Sequence, residues 1–216
     1  MSISSEVKFY KTLEKNVQSL VQQFSTIPPA RKAVLKQISD FIQSKVKAKQ
    51  KIELIFICTH NSRRSHIAQV WAHAAASFYG IRNITSHSGG TEISAFNLRA
   101  VEALKKAGFK IHATSKSKNP IYEVRFSPHE NEIITYSKKY DSPSNPKKGF
   151  AAIMVCSHAD DNCPVVHGAE KRISLPYDDP KDFDGTPEED LKYAERVMEI
   201  GKEILFAFSQ VDATIR

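Results

Sequence analysis

Cys58 stands where an apolar run, Ile52 to Ile57, stops. Thr59, His60, Asn61, Ser62, Arg63 and Arg64 follow with no apolar side chain among them, and Ser65 opens a run with helical spacing. If the first run is a strand and the second a helix, the thiol sits at a strand's C-terminal end. There it faces the backbone N–H groups that a helix leaves unpaired at its start. Such an end attracts anions, and Arg64 can grip a tetrahedral oxyanion through two parallel N–H donors. Both features favour thiolate over thiol. Cys-x5-Arg-Ser between strand and helix therefore reads as an oxyanion cradle, Thr59 to Ser65, with a nucleophile at its base. The competing reading, a cysteine buried as a small hydrophobe, fits poorly with so many polar residues in a row.

Two more cysteines need a role. Cys156 ends the apolar run "AAIMVC", and Cys163 follows seven residues later. Cys156, His158, Cys163 and His167 could hold zinc, although Cys-x6-Cys is wider than the usual knuckle. Two plain buried cysteines are the other alternative. Asp178 and Asp179 precede Pro180, a pattern that by itself is usually a turn. His87, His112 and His129 show no pairing pattern.

The elements that must position these residues alternate. Strands are expected at 52–57, 83–88, 151–156 and 171–175, with helices at 65–79 and 96–107 between the first pairs. Thr186, Pro187 and Glu189 stand in the order of a helix cap, a first-turn proline and a capping-box acid, and a long apolar stripe follows. The fold class expected is α/β, a four-stranded parallel sheet with helices on both faces. Two segments break the alternation. Residues 1–50 read as two helices with stripes at Leu13, Val17, Leu20, Val21 and Phe24, then Val34, Leu35, Ile38, Phe41, Ile42 and Val46. They either pack on the main domain or serve as a docking arm, with "KVKAKQK" as a solvated link. Within the main domain, 51–216, an insertion at about 119–149 alternates at period two around "SPHEN", the pattern of an antiparallel hairpin.

Composition excludes several classes. With 41% hydrophobic and 25% charged residues, the chain has the make-up of a globular protein. No apolar run reaches membrane-span length and the first residues lack a secretion signal's apolar middle, so a cytoplasmic protein with no membrane partner is expected. Three cysteines are too few for a secreted disulfide framework. The net charge of +7 is concentrated in residues 1–50, which hold nine Lys/Arg and three Asp/Glu; the remainder holds 22 and 21. A nearly neutral main domain is not expected to bind nucleic acid.

"CTHNSRRS" resembles the phosphate-binding loop of low-molecular-weight protein tyrosine phosphatases, "HSGGTE" (87–92) resembles the segment that follows it, and "YDDP" the general-acid loop. The stretch "MVCSHADDNCPVVHGAEKRISLPYDDP" resembles the redox segment of thioredoxin-coupled arsenate reductases, which share that fold. The resemblance implies that Cys58 attacks arsenate, the 59–64 amides and Arg64 hold the oxyanion, and Asp179 (or Asp178) is the acid. It also implies that Cys156 and Cys163 form the redox pair, reduced by a thioredoxin-like partner. It implies no cofactor and no metal; Gln69 replaces an acid that some relatives associate with potassium. His60 and Arg63 depart from the small residues common there. The alternatives are a protein tyrosine phosphatase acting on phosphotyrosine, in which Cys156 and Cys163 protect against oxidation, and a non-enzymatic oxyanion-binding or redox-sensing module. The arm and the insertion lie outside the resemblance. If the arm only packs or docks, removing residues 1–48 leaves oxyanion affinity intact. A relay also asks that the polar segment 157–162 be able to move.

Overall fold

A computed structural model describes residues 7–162 and 165–213. In chain order the elements are α1 (Lys11–Gln22), α2 (Pro29–Lys47), β1 (Ile52–Cys58), α3 (Arg64–Phe78), β2 (Ile84–Gly90), α4 (Leu98–Lys106) and β3 (Lys110–Ala113). There follow β4 (Tyr122–Arg125), β5 (Ile133–Thr135), β6 (Phe150–Met154), α5 (Ser157–Asn162), β7 (Ala169–Ser174) and α6 (Glu189–Ser209). The chemistry-bearing loop leaves β1, which is buried along nearly its whole length because it lies inside a parallel sheet of order β2-β1-β6-β7. A strand covered on both faces needs an unbroken apolar run, which "IELIFIC" supplies apart from the half-buried Glu53. The architecture is the expected α/β one, with helices covering the sheet.

The register matters for the site. Ile57 of β1 lies opposite Met154 of β6 and Cys58 opposite Gly90 of β2. The C-terminal ends of three adjacent strands therefore converge, and Cys58 and Cys156 stand at the ends of neighbouring ones.

Three features differ from expectation. The hairpin β4–β5 exists, but β3 pairs antiparallel with β4 and completes a three-stranded sheet of order β3-β4-β5. Only Ile111 and Val124 supply buried apolar side chains along the β3–β4 pairing besides Tyr122, so "KIHA" carried too little alternation to announce a strand. The segment 45–47 is helix rather than solvated link: the Lys45 stem is buried and its ammonium meets Glu170 at 2.6 Å. Helix α6 starts at Glu189, and the Glu189 carboxylate accepts from Gly185 N–H at 2.7 Å, one residue earlier than a capping box would place it.

The N-terminal helices belong to the same apolar cluster as the sheet. Leu13, Val17, Leu20, Leu35, Ile38, Phe41 and Ile42 are all buried in it, and α1 and α2 both lie on α6. Ser39 Oγ donates to the Ala207 carbonyl at 2.7 Å, and Asn16 Nδ2 to that of Ala107 at 2.9 Å. Beside that last contact, Gly108 (φ +109°) lies so near the Leu13 backbone that a Cβ would overlap it. Replacing Gly108 by Ala combines a forbidden backbone angle with a backbone clash. It is expected to cost about 2–3 kcal/mol, read as a lower urea midpoint with an unchanged m-value.

Candidate active site

Between β1 and α3 the chain buries a turn of polar residues. Asn61 and Ser65 are wholly inaccessible, and Thr59 and Ser62 nearly so. A buried polar loop is tolerated only if its hydrogen bonds are made, and here they are. The carbonyls of Cys58 and Thr59 accept from Thr91 N–H (3.3 Å) and Glu92 N–H (2.8 Å). That of His60 accepts the hydroxyls of Ser94 (3.0 Å) and Ser137 (3.1 Å). That of Ser62 accepts Asn97 N–H at 2.9 Å. Four carbonyl dipoles, which would repel an anion, are thus committed to neighbouring segments. Gly90 explains "HSGGTE": a Cβ there would lie 2.5 Å from the Glu92 carbonyl oxygen and 2.7 Å from Asn61 N.

Asn61 is the pivot. It adopts a left-handed conformation (φ 44°) that asparagine tolerates better than most residues. Its Nδ2 donates to Ser65 Oγ at 2.8 Å, and its Oδ1 accepts the N–H of Lys138, from the insertion, at 2.8 Å. With Ser65 Oγ already accepting from Asn61, its proton is free to point at Cys58 Sγ, 3.1 Å away. The start of α3 adds donors: Arg63, in the cap position, provides no side-chain cap, leaving the first-turn N–H groups for an anion.

The two adjacent arginines have different surroundings. Arg64 donates from Nη1 to the Tyr177 carbonyl (2.8 Å) and from Nη2 to Asp179 Oδ2 (2.7 Å), while its buried Nε–H has no partner among the described residues. Arg63 reaches toward α6, donating from Nε to the Tyr193 hydroxyl at 2.8 Å, which in turn donates to Asp184 at 2.8 Å, and the same Nε lies 3.9 Å from Asp179 Oδ1. Burial lifts the Tyr193 phenol to about 12, so it remains a donor. Arg63 is a strut to α6, and Arg64 stands at the oxyanion end. The carboxylates separate as clearly. Asp178 is 96% exposed and meets Arg196 at 3.4 Å, whereas Asp179 bonds Arg64 and caps the turn Pro180–Phe183 through Lys181 N–H.

Cys156 is buried and a free thiol, like Cys58. Thr59 Oγ1 touches both its sulfur (3.5 Å) and His158 Nδ1 (3.2 Å). Cys163 lies outside the described residues. Between the two, 157–162 forms the short helix α5. A cleft of about 600 Å³ opens above Arg64, Cys156, His158, Tyr177, Asp179 and Arg196. Among the described residues no group of three His, Cys, Asp or Glu side chains converges as a metal site would require.

The support beneath the loop has no signature in the sequence. His66 is buried, stacked on Phe96 at 4.2 Å, with Nδ1 against Thr135 Oγ1 (2.6 Å) and Ser88 Oγ (3.1 Å). Burial, helped by the Lys138 charge, holds its pKa well below 6.5, so the ring is neutral. Gln69 also reaches Thr135, at 3.4 Å. Histidines 87 and 112, which showed no pattern, meet Glu53 (2.9 Å) and Glu123 (3.0 Å). Tyr177 and Tyr193, the partners of the two arginines, had only their neighbours in "PYDDP" and an ordinary helical stripe to mark them.

Comparison with known proteins adds the family context. Residues 53–126 match the family model described as low molecular weight phosphotyrosine protein phosphatase. An arsenate reductase of Bacillus licheniformis is 31% identical over 154 residues, 70% of this chain and 91% of the relative. One of Halalkalibacterium halodurans is 29% identical, with the same coverage of 70% and 91%. Among solved structures, a low molecular weight protein tyrosine phosphatase from T. tengcongensis superposes with a TM-score of 0.51 at 18% identity. It covers 74% of this chain and all (100%) of its own, a likeness of fold.

The buried ammonium of Lys138, over the Tyr136 ring at 4.7 Å, carries a testable cost. Burial lowers its pKa to about 8 from 10.5. Below pH 8 both folded and unfolded chains hold the proton, and the fold bears the full desolvation cost. Between 8 and 10.5 only the unfolded chain holds it, so stability gains with pH across that window. Lys138→Met is expected to stabilise the protein at pH 7 by about 1–2 kcal/mol. That advantage should shrink to nothing by pH 10.5, as read from urea unfolding at a series of pH values.

Proposed function

The chain belongs to the low-molecular-weight protein tyrosine phosphatase superfamily, a group of enzymes with arsenate reductases among this chain's relatives, and on that footing we propose that it reduces arsenate through a three-cysteine relay. The observation that carries this reading is the second thiol at the cradle. Cys156 follows the strand beside that of Cys58 by two residues, and Thr59, a loop residue, touches its sulfur. Ester hydrolysis has no use for such a thiol; a two-electron reduction requires one.

In the proposed sequence the Cys58 thiolate attacks arsenic, with Arg64 and the loop amides holding the oxygens, and the unpartnered Arg64 Nε–H gains an acceptor. Asp179 protonates the departing oxygen, which leaves as water, and an S–As bond remains. The Cys156 thiolate then attacks Cys58 Sγ. The S–S bond forms, the S–As bond breaks, and its electron pair leaves with arsenic as arsenite. Cys163 attacks the Cys156 sulfur, freeing Cys58, and a thioredoxin-like dithiol reduces the resulting Cys156–Cys163 bridge. Helix α5 advances the chain by about 9 Å along its axis, so bridging its two flanking cysteines calls for it to open. The same cradle and acid serve a phosphate monoester, with water finishing the reaction, and that phosphatase is the second reading; the phosphatase family model favours it. No helix among the described residues is long and apolar enough to cross a membrane. The relay needs thiols kept reduced, and we infer a cytoplasmic setting.

Cys58→Ser is expected to lose at least about a thousandfold in turnover of either substrate. Cys163→Ser should complete one arsenate turnover and stop, trapping a Cys58–Cys156 disulfide visible in peptide mass spectra, while hydrolysis of a phosphate ester is unaffected. Multiple turnovers by Cys163→Ser with thioredoxin and its reductase would leave the phosphatase as the better reading. Asp179→Asn should slow turnover most where the leaving group is poor; Asp178→Asn should change little.

A further inference from the structure

Glu203 on α6 is buried, with its side chain 6% exposed, and both its carboxylate oxygens accept from Arg31 Nε on α2, at 2.9 and 3.0 Å. The Arg31 guanidinium carbon also lies 4.6 Å from the centre of the Tyr177 ring. Tyr177 is buried, its hydroxyl lies beside the Glu203 carboxylate, and its backbone N–H donates to the Val155 carbonyl at 3.2 Å. Burial, reinforced by the Glu203 charge, keeps the phenol protonated far above neutral pH, so the face it presents to the guanidinium is a neutral ring. The carbonyl of this same residue orients Arg64, and two residues on, Asp179 takes the other arm of the Arg64 fork.

From this arrangement we propose that the N-terminal arm is a working part of the active site, with Arg31 as a positioning residue for the loop 177–182 and, through it, for Arg64 and Asp179. The physical case has three parts. First, the flat Arg31 guanidinium covers the face of the buried Tyr177 ring, and the Tyr177 hydroxyl lies beside the same Glu203 carboxylate that holds Arg31, so the three side chains form one packed unit. Second, the guanidinium cannot wander, because it neutralises a carboxylate that burial would otherwise make costly. Third, α2 is seated on α6: Ser39 bonds Ala207, and in the turn that precedes α2 Thr26 Oγ1 accepts from Lys202 at 3.0 Å. The lid is therefore referenced to the helix that also holds Arg63 through Tyr193. Both arginines of the cradle are positioned from one face of α6, one directly and one by way of the arm. The proposal rests on the preceding reading only in taking Cys58, Arg64 and Asp179 as the site.

Arg31→Met alone would strand the Glu203 charge, so the decisive variant is Arg31→Met with Glu203→Gln, which neutralises both. Hydrogen–deuterium exchange and inorganic phosphate affinity, the latter read from protection of Cys58 against alkylation, are compared with the parent. The expected result is exchange at least tenfold faster at the amides of 177–182 and phosphate bound 3- to 10-fold more weakly, with the amides of β1 and α3 as protected as in the parent. A variant with parent-like exchange at 177–182 and parent-like phosphate affinity overturns the proposal. If the double variant does not fold, Arg31→Lys decides by the same two readouts. It keeps the charge and loses the flat face, and a smaller change in the same direction is expected; parent values overturn the proposal there too. A parent protein that binds no phosphate would count against the site itself, while the exchange at 177–182 still decides the role of Arg31.

Discussion

The site depends on burying a polar loop without orphaning its backbone. An oxyanion cradle needs N–H groups aimed at one point and water kept out, and both demands conflict with the ordinary rule that loops run over the surface. This chain resolves the conflict by surrounding the loop with segments that accept its carbonyls' demands: 91–97 on one side and 137–138 on the other. Asn61 is where the constraint tightens, since its side chain joins Ser65, the helix start and the insertion in one set of bonds. Without that knot the serine hydroxyl would have no fixed direction, and the sulfur at the strand end would be a buried thiol among others.

What the sequence made legible follows from where its signals are local. The run into Cys58, the six polar residues and the helix after them are contiguous, so strand, loop and helix could be read together. So could the start of the last helix, to within a residue or two. Bonds between distant segments had no such signature. Ser137 and Lys138 lie in an insertion whose alternation suggested only a hairpin, yet they brace the cradle, Ser137 through its hydroxyl and Lys138 through a backbone N–H that any residue type but proline could supply. Lys45 looked like a linker lysine because nothing nearby in sequence predicts Glu170 across the sheet edge. Asp178 and Asp179 were indistinguishable as neighbours in a turn; only the direction of the chain after Tyr177 separates them, one into solvent and one toward Arg64.

The same distance effect explains why the arm seemed separable. Its apolar stripes say that it packs, not against what. Residues 1–50 carry the chain's basic excess, yet one of those cations, Arg31, is turned inward to a carboxylate of the last helix. Charge totals describe what a segment presents on average and miss the one side chain whose burial matters.

Helix α5 bears on speed. A helix of six residues is too short to persist by its own hydrogen bonds; it is held by contacts with β1 and β6. Helix–coil relaxation takes about 0.1–1 μs in isolated peptides, while a typical enzyme completes on the order of ten turnovers per second. Even if those contacts slow the opening a thousandfold, it remains far quicker than a catalytic cycle. The cycle time of any chemistry passing between Cys156 and the residues beyond α5 is then governed by bond exchange and by how often a reductant arrives, and concentration of that reductant becomes the controlling variable.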